Sequence, residues 1–103
     1  MTGDATTSDT ETAGQVTVVT LLTKPDCAMC DHAKAVLAKV GADHRLRVEE
    51  ISLDSPNGAL LAGRAGVLFA PGILLEGAPF AFGRLSERAL RRSLDRRTTT
   101  RKG

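Results

Sequence analysis

Apolar and polar positions alternate between two rhythms along this chain. Val16-Thr17-Val18-Val19-Thr20-Leu21-Leu22 is β-branched and apolar without clean alternation. That suits a strand covered on both faces, central in its sheet. Lys24-Pro25-Asp26 breaks it. Ala33, Val36, Leu37 and Val40 then fall at i, i+3, i+4 and i+7, which predicts a helix over Ala28 to Val40 with one apolar stripe. Gly41 is placed to end it at C′. A second strand is expected from Leu46 to Leu53, its alternation spoiled by Glu49-Glu50. Ser55-Pro56 reads as an N-cap followed by Pro at N1, opening a short helix (Asn57 to Ala62) weakened by Gly58. Ile73-Leu74-Leu75, Glu76-Gly77 and Ala78 to Phe82 read as a hairpin. Pro79 marks its second strand as an edge, because proline cannot donate to a ladder. Ser86 caps a last helix, with Leu85 placed to pack on Leu90 as a hydrophobic staple and Leu94 continuing the stripe. The order is β-α-β-α-β-β-α, its first crossover parallel and right-handed, which makes the chain an α/β protein.

At 103 residues and 10.9 kDa, one domain is the expectation. Residues 1–15 are Thr, Ser, Asp and Gly with little to bury and read as a disordered tail. The domain spans residues 16–97, and 98–103 read as a second disordered tail. No apolar stretch approaches the roughly 20 residues of a membrane span. The acidic, polar start lacks the apolar core of a secretory signal, so a cytoplasmic location is expected.

The net charge of +2 conceals its distribution. Residues 1–15 carry −3, residues 16–83 carry −1, and residues 84–103 carry +6. The basic stretch includes Arg88, Arg91, Arg92, Arg96 and Arg97. Such a stripe could follow phosphates, but no aromatic platform or base-reading motif accompanies it. A solvated helix face is the plainer expectation.

The candidate chemistry is Cys27-Ala28-Met29-Cys30. The two cysteines are too few for a disulfide scaffold, and in a reducing compartment a close pair points to reactivity or metal binding. The pair follows a buried strand and opens a helix. Unpaired N–H groups and the positive dipole end lower a thiol pKa there. Cys27 is then the nucleophile and Cys30 the resolving thiol. Lys24 adds positive field near Cys27, and the adjacent Asp26 opposes it. Two inert buried thiols are the plain alternative. A structural zinc site within one chain wants four ligands, and a second Cys pair is missing. A cluster shared by two chains needs only one thiolate from each. His32 is expected exposed on the helix, and Met29 either packs or meets substrate.

Lys24-Pro25-Asp26-Cys27-Ala28-Met29-Cys30, followed by Ala33-Lys34-Ala35-Val36-Leu37, resembles the glutaredoxin-like branch of the thioredoxin superfamily. The similarity continues through Ala70-Pro71, the hairpin at Glu76-Gly77, and Gly83. It covers Val16 to Leu94. The resemblance implies a thioredoxin-like fold with a mixed four-stranded sheet, order β2-β1-β3-β4, and helices on both faces. It implies a cis-proline at Pro71 opposite the cysteines, with the Ala70 backbone available to an extended thiol substrate. Lys24 matches a lysine that meets the glycyl carboxylate of glutathione. Gly83 is what remains comparable, with Ser86 and Glu87, of the segment that grips the γ-glutamyl end. The aromatic usual at the cysteine pair is absent. The implied activity is thiol–disulfide exchange on protein or small-molecule disulfides. No cofactor is permanently bound, and glutathione or a thiol reductase resets the pair. The alternative is a redox-inactive adaptor of the same fold, or an iron–sulfur protein.

Overall fold

The computed structural model describes residues 16–102, with side chains to Arg96. The expected N-terminal tail, residues 1–15, lies outside them, as does Gly103. The elements are β1 (Thr17–Thr23), α1 (Ala28–Gly41), β2 (Leu46–Ser52), α2 (Pro56–Ala65), β3 (Gly72–Leu75), β4 (Ala78–Phe82) and α3 (Glu87–Lys102). They form one sheet in the order β2-β1-β3-β4. β1 pairs with β2 in parallel and with β3 antiparallel, and β3 pairs antiparallel with β4.

The unbroken apolar run of β1 is explained by its place inside the sheet. Val19 and Leu21 join Ile73 and Leu75 on one face. Ala33, Val36, Leu37 and Val40 of α1 cover them, together with Leu90 and Leu94 of α3. Leu22 points to the other face, where the chain that follows α2 approaches it. A Cβ at Gly72 would meet the Leu22 and Val67 side chains within 3.2 Å. On the α1 side, Thr23 donates its hydroxyl to Glu50 at 3.2 Å, and Lys34 pairs with the same Glu50 oxygen at 3.1 Å. β1, β2 and α1 are thus tied together at the end where the cysteines lie.

Helix starts follow the sequence, and helix ends depart from it. Ser55 caps α2 by accepting from the Gly58 N–H at 3.0 Å, with Pro56 in the first turn. Ser86 caps α3 by accepting from the Ala89 N–H at 3.1 Å. Gly41, however, is the last residue of α1 and not a left-handed C′ residue. The terminal carbonyls of Lys39 and Val40 are met instead by the right-handed Ala42, and by Asp43 and His44 donating to Val40. α2 runs three residues beyond the expected Ala62, to Ala65, and is closed by Gly66, a left-handed cap at φ 74°. Gly58, expected to weaken it, is buried in its first turns. A Cβ there would collide with the Ser52 carbonyl oxygen, so glycine is what lets α2 lie against the end of β2.

α3 continues through residues 98–102, where the sequence suggested a tail. No glycine or proline interrupts it between Glu87 and Lys102. The hairpin turn has positive φ at both Glu76 (52°) and Gly77 (81°), as a type I′ turn requires. β4 is an edge strand. Ile73 faces Ala81 and Leu74 faces Pro79, leaving Phe80 as the extra residue of a bulge.

Candidate functional site

Three loops meet at one end of the sheet. Leu22 sits opposite Gly72, and Gly72 opposite Phe82. The residues after β1 (24–27), before β3 (66–71) and after β4 (83–86) therefore share that end. The register alone places the cysteine pair, Ala70-Pro71 and Gly83 in one neighbourhood.

Cys27 and Cys30 are joined by a disulfide, with Cα atoms 5.1 Å apart. Cys27 is half-buried, whereas Cys30 is 2 % exposed and faces the core from the first turn of α1. The asymmetry comes from helix position. Cys30 lies three residues before Ala33 on the buried stripe, while Cys27 stands ahead of the helix in extended backbone (φ −118°, ψ 104°). Cys27 is itself the N-cap. Its Sγ accepts the Cys30 N–H at 3.1 Å, and its carbonyl accepts from Cys30 and Asp31. Sulfur thus stands where a helix presents unsatisfied donors, an arrangement that favours a thiolate.

The approach to Cys27 is made by Lys24, Pro25 and Asp26, all exposed. Asp26 has φ 51°, in the left-handed region. Among the described residues, neither the Lys24 nor the Asp26 side chain has a hydrogen bond or ion pair. His32 and Met29 are exposed, Met29 at 42 %.

The Ala70–Pro71 peptide bond is cis, as the resemblance implied. Pro71 is buried, and its carbonyl accepts the Gly83 N–H at 2.7 Å. That bond fastens the two loops together. The backbone N–H and C=O of Ala70 carry no hydrogen bond among the described residues. Gly83 has φ 83°, and a Cβ on it would lie 2.9 Å from the Phe69 ring. Phe69 makes an edge-to-face pair with Phe82, centroids 5.0 Å apart.

This aromatic pair was not among the residues singled out from the sequence. Phe69 is 52 % exposed, Phe82 38 % and the neighbouring Leu68 80 %. One ring stands on the loop before β3 and the other on the last residue of β4, at the same end of the sheet as the cysteines. A signal existed in Leu68-Phe69, two large apolar residues immediately before Ala70-Pro71. A short apolar run does not reveal which of its residues face water.

The basic last helix is partly engaged in holding the fold. Arg91 donates to Glu87 at 2.9 Å and to Asp43 at 2.7 Å, and Lys39 pairs with Glu87 at 3.5 Å. The Arg91 hydrogen bond, aided by Lys39, holds the Glu87 carboxyl below the ordinary carboxylate range. The hydrogen bonds to Asp43 and Glu87 raise Arg91 further. Among the described residues, no group of three His, Cys, Asp or Glu side chains could hold a metal ion. No helix among them is long and apolar enough to cross a membrane.

Comparison with known proteins agrees with this geometry. A mutant thioredoxin from Halobacterium salinarum NRC-1 superposes with a TM-score of 0.63 at 23 % identity, over 92 % of this chain and 81 % of that one. A structure described as that of a malarial protein gives 0.58 at 19 % identity, over 81 % and 97 % of the two chains. A Staphylococcus aureus protein of unknown function gives 0.56 at 17 % identity, over 80 % and 91 %. These likenesses establish the fold. No curated protein matches in sequence. Residues 18–95 match the model of the glutaredoxin-like domain (DUF836), a span holding both cysteines, Pro71 and Gly83. The chain, with its thioredoxin-like fold, is therefore a member of the glutaredoxin-like domain (DUF836) family.

Proposed function

We propose that the chain is a thiol–disulfide oxidoreductase in which Cys27 attacks and Cys30 resolves. One observation carries the reading. The two cysteines close a disulfide at a helix N-terminus, with the first half-buried and the second in the core. In the reduced pair, the Cys27 thiolate attacks a substrate disulfide. A mixed disulfide forms, and one substrate sulfur leaves as a thiolate that takes a proton. The Cys30 thiolate then attacks the Cys27 sulfur. The Cys27–Cys30 bond closes and the second substrate sulfur departs, so two electrons have passed to the substrate. An external thiol or reductase returns two electrons to the pair.

Lys24, Ala70, Pro71 and Gly83 are the proposed substrate-binding residues. The unpaired backbone of Ala70 supports pairing with an extended substrate, and exposed Lys24 supports contact with a carboxylate such as that of glutathione. No permanently bound cofactor is needed. The reaction suits a reducing compartment such as the cytoplasm. Substrates are protein or small-molecule disulfides.

A panel comparing glutathione with thioredoxin-type reductases as electron donors tests the reading. Turnover with at least one donor, abolished by C27S, is the expected result. In C30S, a mixed disulfide on Cys27 should accumulate. No turnover with any donor would reject the activity.

A further inference from the structure

Asp26 is one of two non-glycine residues with positive φ among the described residues; the other is Glu76. Glu76 stands in the hairpin turn, and its carboxylate accepts the Val18 N–H at 2.7 Å. Asp26 has no comparable tie. Its exposed side chain has no hydrogen bond or ion pair among the described residues. After glycine, the left-handed region is best tolerated by Asn and Asp. Either would satisfy the backbone at φ 51°. What Asp adds over Asn is a negative charge, placed one residue before the sulfur that caps α1.

A Cys27 thiolate draws its stabilisation from the N–H groups and positive end of that helix. The Asp26 carboxylate draws on the same field and repels the thiolate. Few other charges intervene. Lys24 opposes Asp26 from within the loop, Lys34 and Glu50 at this end of the sheet are paired with each other, and Asp31 and His32 lie exposed in the first turns of α1. Arg84 is exposed on the loop after β4, and residues 67–71 bring no titratable side chain.

From this placement we infer that Asp26 is a charge-tuning residue. It holds the Cys27 thiol less acidic than the helix end alone would make it. It thereby biases the Cys27–Cys30 couple towards giving electrons to substrate rather than taking them. The inference rests on Cys27 being the attacking thiol. Its sign follows from the half-reaction, in which the disulfide takes up two electrons and two protons to give the dithiol. Ionisation of Cys27 stabilises the reduced side. A neighbouring carboxylate removes part of that stabilisation, so the reduced pair parts with electrons more readily. For charges on adjacent residues, one exposed and one half-buried, the effect on ionisation is about three- to tenfold.

D26N and D26G, made in the full chain, separate charge from backbone shape. The reduced proteins are alkylated with iodoacetamide at pH 6, the modified site being read by mass spectrometry. They are also equilibrated in dithiothreitol redox buffers. D26N should react at Cys27 about three- to tenfold faster than the native chain, with D26G alike. High salt should erase most of the difference. Both variants should be reduced by milder buffers than the native chain. A native-like D26N, whether or not D26G changes, would overturn the assignment, because charge would then have no part in it. Neither readout needs turnover. Failure of the oxidoreductase reading would therefore show as absent catalysis alongside an intact D26N effect.

Discussion

One sulfur in this chain has two separable roles. Cys27 Sγ satisfies the Cys30 N–H at the start of α1, and in the proposed reaction it is also the nucleophile. Serine is a good N-cap and alanine is not. Under reducing conditions, C27S should keep α1 and C27A should be less stable than C27S by about 1 kcal/mol, as urea unfolding measures. Both should be inactive. Gly83 makes a second residue-scale test. At φ 83° with the Phe69 ring against it, G83A should cost about 1–3 kcal/mol for the backbone alone. Adding F69A should recover the steric part and leave the backbone part, which denaturation midpoints of the single and double variants would show. At this scale the sequence was informative about chemistry and weak about surfaces. The cysteine pair declares itself by spacing and by the strand and helix around it. The exposure of Phe69 and Phe82 does not, because it depends on how the loop before β3 meets the end of β4.

Elements were legible where local physics decides them. Caps at Ser55 and Ser86, the I′ turn at Glu76-Gly77 and the edge proline all follow from short-range rules. The departures have a tertiary cause. Gly41 suggested a left-handed stop, yet the loop through Ala42 and His44 meets the last carbonyls without one. Gly58 suggested a weak helix because propensity scales price glycine by its backbone freedom alone. What they omit is the Ser52 carbonyl against which the helix packs. The packing account predicts that G58A, a gain by propensity, destabilises by more than about 1 kcal/mol. A rise in the thermal midpoint of G58A would contradict it.

At the scale of the molecule, the sheet order and both helix layers match the family expectation, and the charge segregation acquires a partial structural role. Glu87 and Arg91 of α3 engage Lys39 and Asp43 at the far end of α1. Glu87 is held below its ordinary range when folded, so its contribution to stability is complete above the unfolded carboxylate value, about 4.3. It is lost as pH falls through the lowered folded value. The native chain should therefore lose more stability than E87Q as pH falls across that window, which unfolding midpoints at graded pH would show. The sequence displayed these charges but not their partners, since Arg91 and Asp43 are brought together only by the packing of α3 on α1.

The central claim is that the Cys27–Cys30 pair passes electrons between a reductant and a disulfide. It is tested most directly by the rate at which dithiothreitol reduces a polypeptide disulfide in the presence of the native chain, C27S or C30S. The native chain should accelerate the reaction, C27S should not, and C30S should accumulate a mixed disulfide at Cys27. A native chain no faster than buffer, or a C27S variant as fast as the native chain, would contradict the account.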